Sequence, residues 1–195
     1  LDGPAGGRHF GRNPTPVGAD MLMNILIVAG VALVALLGFA ATRPDSFRIE
    51  RTATIKAPAL KIFGFLNDFH EWTAWSPWEK LDPALRRTYT GAASGKGAAY
   101  AWEGNKKVGA GRMEITDSSP PSRLAIKLDF LRPFEAHNAI EFTLEQAAGF
   151  THISWAMVGA NNFMSKLMSL VMNMDKMVGK DFETGLANLK DLAEK

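Results

Sequence analysis

A chain of 195 residues with 47% hydrophobic content has room for one well-packed domain plus an appendage, and is too short for two large domains. Its 22 basic and 20 acidic residues leave a net charge of +2, and no basic run is interleaved with aromatics, so nothing marks nucleic acid as a partner. The absence of cysteine excludes disulfides, thiolate nucleophiles and cysteine metal sites.

Residues 1–20 are rich in Gly and Pro, hold few large apolar side chains and include no initiator methionine, so they are expected to be a disordered leader. Met21 and Met23 are the candidate native starts. Residues 21–42 then carry no charge, and Ile25 to Ala41 is almost wholly aliphatic. That meets the ~20 residues needed to cross a ~30 Å hydrocarbon core, and the reading is a transmembrane anchor. A cleaved signal peptide competes, because Gly38-Phe39-Ala40 is a small-x-small triplet, but the apolar run exceeds the usual ~7–15 residue signal core. A buried soluble helix would show a polar face, and this run has none. Arg43, Arg48 and Arg51 follow the span, so the positive-inside rule favours a single-pass protein of the inner (cytoplasmic) membrane with its C-terminal domain in the cytoplasm.

Residues 43–46 are a short linker, and residues 47–195 form the folded domain. Phe47 to Ala57 reads as a strand in which Ile49, Ala53 and Ile55 alternate with polar residues, and Arg51 breaks the period. Pro58 suits a first helical turn, and Leu60, Ile62, Phe63, Phe65 and Leu66 follow in a short apolar helix ending near Asn67-Asp68. Trp72, Trp75 and Trp78 then place three of the five tryptophans within seven residues, either as a structural plug or as part of a cavity wall.

From Arg86 to Gly159, turn residues separate six alternating runs, the pattern of an antiparallel sheet with one wet and one dry face. The dry face must close over another apolar element. From Asn162 to Lys195, Phe163, Leu167, Leu170/Val171, Met174, Val178, Phe182, Leu186, Leu189 and Leu192 recur at helical spacing, which predicts a single helix roughly 50 Å long. Five of the nine methionines lie in its first half; Leu186, Leu189 and Leu192 read as fixed packing, and Gly179 and Gly185 as the place where two parts bend separately.

The stretch Ile55-Lys56-Ala57-Pro58-Ala59-Leu60-Lys61-Ile62-Phe63-Gly64-Phe65-Leu66-Asn67-Asp68, followed by Trp72-Thr73-Ala74-Trp75-Ser76-Pro77-Trp78, resembles the opening of the polyketide cyclase/dehydrase branch of the START/Bet v 1-like (SRPBCC) superfamily. Thr151 to Gly159 is similar to that branch's last strand. The resemblance implies an α+β helix-grip fold, a curved seven-stranded antiparallel sheet around a long C-terminal helix, here with one N-terminal transmembrane helix. It also implies a cavity between sheet and helix that takes lipids or other hydrophobic small molecules. Some members of the branch cyclise or dehydrate; many only bind or carry.

By strand parity Tyr89, Tyr100, Trp102, Phe130, Asn138, Phe142, Trp155 and Met157 face the dry side, and with Trp72, Trp75, Met164 and Met168 they are the candidate ligand-binding set. Core packing is the alternative for each aromatic and methionine. The Asn138 amide needs a partner, either a ligand or neighbouring backbone or water. Arg87 shares the parity of Tyr89 and reaches either an anionic head group or water. His137 and His152 fall on the wet face, and His70, near the expected mouth, lacks a carboxylate at recognisable spacing. No catalytic residue, metal site or cofactor is therefore assigned. The expected function is a membrane-anchored carrier or binder of a hydrophobic small molecule or lipid. A cyclase/dehydrase-type enzyme and a non-catalytic accessory module of a membrane assembly are the alternatives.

Overall fold

The computed structural model of the chain describes residues 17–170 and 173–195, and its contacts divide it into two units, with the boundary between Thr42 and Arg43. In the first, helix α1 (Val17–Ala41) carries Asp20 in its first turn, where a carboxylate complements the helix dipole. Of residues 1–20, expected as a disordered leader, Val17–Asp20 are helical, and residues 1–16 lie outside the described residues. Asp20–Ala41 is long and apolar enough to cross a membrane, and side chains such as Leu22, Ile25, Val28 and Val34 are exposed along it.

In the second unit, β1 (Ser46–Ile55), β2 (Arg86–Gly91), β3 (Ala98–Glu103), β4 (Ala110–Ser119), β5 (Arg123–Arg132), β6 (Ala136–Ala147) and β7 (Phe150–Ala160) form one antiparallel sheet in the order β1-β7-β6-β5-β4-β3-β2. Helices α2 (Ala59–Asn67) and α3 (Trp72–Trp75) and a 3-10 turn (Pro77–Lys80) fill the crossover from β1 to β2. The register gives the sheet two distinct ends. Ser46, Arg86, Glu103, Ala110, Arg132, Ala136 and Ala160 lie at one, the Ser46 end; Ile55, Gly91, Ala98, Ser119, Arg123 and Phe150 lie at the other.

Alternation decides the faces, as the sequence indicated. Ile126, Leu128, Ile140, Phe142, Ile153, Trp155 and Met157 are buried on the helix side, while Arg123, Lys127, His137 and His152 are exposed on the other. Arg51 does not break this period. It shares the parity of Ile49 and Ala53 and points at the C-terminal helical segment, as described below.

That segment is not one helix. It comprises α4 (Phe163–Met168) and α5 (Met174–Ala193), and each starts at an asparagine whose side-chain oxygen accepts a backbone N–H three residues on: Asn162 from Ser165 at 2.8 Å, Asn173 from Lys176 at 2.9 Å. An asparagine in that role opens a new helix, and the apolar periodicity passes over it. The break therefore falls before Met174, not at the glycines. Gly179 and Gly185 instead admit neighbours: a Cβ at Gly179 would lie 1.9 Å from the Arg51 guanidinium, and one at Gly185 would lie 2.8 Å from the Trp155 ring. Leu186 and Leu189 are buried, in line with fixed packing.

Candidate ligand site

The candidate residues separate into two groups. Trp72, Trp75, Phe142, Trp155 and Met157 are buried. Trp75 sits edge-on to Trp155 and Phe142 at 5.5 and 6.3 Å, and Trp155 stacks on Phe182 of α5 at 4.1 Å and 8°. Their amphipathic rings are anchored locally: Trp72 and Trp75 donate Nε1–H to the carbonyls of Leu66 and Phe65 at 3.0 and 3.1 Å, and Asn188 of α5 donates to the Trp75 carbonyl at 2.9 Å. These rings are a closed plug under α5. Trp155 Nε1 is buried in it without a hydrogen-bond partner among the described residues.

The second group forms a rail of rings across β2, β3 and β5. Tyr89 pairs with Tyr100 across strands at 5.3 Å, Tyr100 lies 6.0 Å from Trp102, and Trp102 meets Phe130 edge-on at 5.9 Å. Trp102 reaches Phe130 because Gly111 of β4, between them in register, has no side chain; a Cβ there would stand 2.4 Å from the Trp102 ring. Gly111 thus serves the close approach of a ring. Trp102 Nε1 donates to the Val108 carbonyl at 3.3 Å.

Tyr89, Trp102, Phe130 and Asn138 are only half-buried although all face the concave side. Asn138, third in β6, lies by register beside Gly159 at the Ser46 end, and its side chain makes no hydrogen bond among the described residues. Of the two methionines in the set, Met168 of α4 is exposed, and the side chain of Met164 lies outside the described residues.

Behind the rail stands a polar cluster that the sequence did not show. Glu79, from the 3-10 turn, accepts the Tyr100 hydroxyl on one carboxylate oxygen and Arg87 Nε on the other, both at 2.6 Å. Arg87 is thereby committed to a carboxylate of its own chain, rather than to water or a head group. Burial first, and then the bond to Glu79, push the Tyr100 hydroxyl well above its ordinary pKa; burial also raises Tyr89. Arg87 is raised by its bond to Glu79.

His70 has a partner after all. Its Nδ1 lies 2.7 Å from Asp68 Oδ1, two residues upstream, and its ring stacks on Tyr89 at 4.0 Å and 21°. The residues Asn67-Asp68 read as a helix end, which concealed this turn geometry. Asp68 also borders an open polar concavity with Lys61, Asn67, Glu71 and Ser94. His137 pairs with Asp129 on the wet face at 2.7 Å, and Lys127 first, then His137, hold Asp129 below the usual carboxylate range. His152 bonds Thr54 at 2.9 Å on the same face. Among the described residues no three metal-ligating side chains converge.

Arg51 is the remaining group missed from sequence. Its Nε donates to Glu183 at 2.7 Å and its Nη1 to Asp175 at 3.1 Å, with Gly179 between them on the same face of α5. The guanidinium thus clasps the first half of α5 to β1.

Comparison with known proteins agrees with this architecture. A search of curated proteins finds no match. Among solved structures, protein CV1439 from Chromobacterium violaceum superposes with a TM-score of 0.55 at 13% identity, covering 78% of this chain and 99% of that one. The Aha1 dimer from Colwellia psychrerythraea gives 0.51 at 19%, covering 76% and 96%. The di-domain ARO/CYC BexL of the BE-7585A biosynthetic pathway gives 0.58 at 14%, covering 91% of this chain and 60% of BexL. At these identities the likeness is one of fold. The profile of the family described as polyketide cyclase / dehydrase and lipid transport matches residues 46–194, and the chain belongs to that family.

Proposed function

We propose that this chain is a membrane-anchored binding or carrier protein for a hydrophobic small molecule or lipid, seated against the concave face at the Ser46 end of the sheet. The observation that carries the reading is the exposure of side chains that parity turns inward: Tyr89, Trp102, Phe130 and Asn138 face the helix side yet remain half-buried. An apolar wall with one free amide is the usual composition of a hydrophobic ligand site, and Asn138 would bind a ligand hydroxyl or carbonyl. The apolar span Asp20–Ala41 would hold that site beside a bilayer, raising its effective concentration near a lipophilic ligand. The arginines after the span favour the cytoplasmic side of the inner membrane for the domain.

Native mass spectrometry and lipid extraction of the detergent-purified full chain test this. A reproducible apolar molecule that is lost in Trp102→Ala supports carriage. A chain that never carries one overturns it in favour of the accessory-module reading, to which the closed Trp72/Trp75/Trp155 plug is suited.

One observation favours a second reading, an enzyme of the cyclase or dehydrase type: the Asp68–His70 pair stacked on Tyr89, at the end of the rail. A carboxylate that orients an imidazole beside an apolar site is the arrangement of a general base. Under this reading His70→Ala retains the ligand and loses its conversion.

A further inference from the structure

The linker after α1 is stitched to the domain. Asn161 donates its backbone N–H to the Asp45 carbonyl at 2.7 Å and its side-chain amide to the Pro44 carbonyl at 3.2 Å, and Lys166 of α4 reaches the Asp45 carboxylate. Lys166 is itself buried, and its bond holds Asp45 below the usual carboxylate range. The start of α4 is thus fixed to Pro44, three residues from the last residue of the apolar span, Ala41. Three extended residues reach about 10 Å. A span of 22 residues is about 33 Å long, close to the ~30 Å hydrocarbon core, which puts Ala41 near its edge when the helix crosses a bilayer. Covalent reach alone then brings the start of α4 into the headgroup zone.

The surface at that end suits such a place. Phe134 is 74% exposed at the β5–β6 tip, with Leu131 at 57% beside it. Phe163, Met168, Met174 and Met177, in α4 and the first turn of α5, are 43–50% exposed. In the β3–β4 turn at the same end, the ammonium groups of Lys106 and Lys107 have no partner among the described residues. At the far end the exposed apolar side chains are fewer, Phe150 of the β6–β7 turn at 43% and Leu60 of α2 at 67%. An apolar patch rimmed by free cations is the composition of a surface that rests on an anionic bilayer.

We propose that the Ser46 end is a lipid-contacting lip: Leu131, Phe134, Phe163, Met168, Met174 and Met177 rest in the interface of the bilayer that α1 crosses, and Lys106 and Lys107 contact its anionic headgroups. The half-buried rail then opens toward lipid, so the ligand class is one drawn from the bilayer. The inference rests on the anchor reading above.

The chain has no cysteine, so one introduced thiol reports one position. Phe134→Cys and, at the opposite end, Phe150→Cys are labelled with an environment-sensitive fluorophore in the full chain, which is reconstituted into phosphatidylcholine/phosphatidylglycerol vesicles with and without nitroxide-labelled lipid. The lip predicts blue-shifted emission and several-fold stronger lipid quenching at position 134 than at 150, reduced by Lys106→Glu/Lys107→Glu. Equal, water-like emission at both positions in protein that resists alkaline extraction overturns the lip and leaves the anchor standing. A blue shift at 134 without lipid quenching assigns the patch to a second copy of the chain and also overturns it. Release of the protein by alkaline extraction refutes the anchor reading, and the lip with it.

Discussion

The concave face of the sheet is finished differently in its two regions. Under α5, the rings of Trp72, Trp75, Phe142, Trp155 and Phe182 interlock with little or no exposure. Toward the Ser46 end, the rail from Tyr89 to Phe130 uses equally large rings, but only Tyr100 is buried. Ring density therefore does not separate core from site in this fold; the element above the rings does. Phe182 of α5 lies directly on Trp155, whereas Trp102 and Phe130 cover one another and remain part-open. A helix-grip sheet of this kind holds a sealed plug and a part-open row of rings on one continuous surface.

If the plug is structural, its loss should dominate stability. Phe182→Ala removes a buried ring stacked flat on Trp155 and should cost about 3–5 kcal/mol, read from the denaturant midpoint. A loss below about 1 kcal/mol would mean that the region is loosely packed and that the contrast fails. The rail should behave in the opposite sense. Trp102→Ala, at a half-buried position, should cost about 1–2 kcal/mol in stability but reduce bound apolar ligand about tenfold or more, measured by extraction and mass analysis.

The cluster behind the rail gives a pH test. Tyr89 and Tyr100 are the only tyrosines, and both are raised above their ordinary value near 10, Tyr100 by burial and its bond to Glu79. Below pH 10 Tyr100 is neutral in both folded and unfolded chains, and its contribution is fully present. Above pH 10 the unfolded chain releases that proton and the folded one retains it, so stability falls with rising pH, by at most about 1.4 kcal/mol per pH unit for Tyr100. Ultraviolet difference spectra should show little tyrosinate in the folded protein just above pH 10. Glu79→Gln removes the bonded anion and should bring ionisation of Tyr100 to lower pH.

Parity carried most of what the sequence revealed. Six alternating runs and the β1 pattern placed Phe130, Asn138, Phe142, Trp155 and Met157 on the helix side, and His137 and His152 on the other. Parity is local, so it gave the direction of each side chain but not what covers it; Trp155 and Trp102 read alike although one is sealed and the other open. Three of the misreadings involve polar side chains with distant or unusual partners. Arg51 looked like a fault in a strand because Asp175 and Glu183 lie more than a hundred residues away. Asn173 fell inside the single expected helix because an N-cap is defined by its backbone bond and not by apolar spacing. Arg87 looked free because Glu79 sits in a 3-10 turn with no periodic signature.

The smallest expected effect tests the joint between β1 and α5. Alanine in place of a helical glycine ordinarily gains about 1 kcal/mol. At Gly179 the new methyl group would fall on the Arg51 guanidinium and displace it from Asp175 and Glu183. Those two carboxylates are exposed, so each ion pair is worth about 0.2–1 kcal/mol, and the gain and loss nearly cancel. Gly179→Ala alone should therefore leave the denaturant midpoint almost unchanged. With Arg51→Gln already in place the slot no longer holds a guanidinium, and the same substitution should recover most of the helical gain, so the two changes are coupled by roughly 1 kcal/mol. Equal stabilisation by Gly179→Ala in both backgrounds would show that Arg51 does not occupy the slot, and that α5 is held to the sheet by the Trp155–Phe182 plug without help from the clasp.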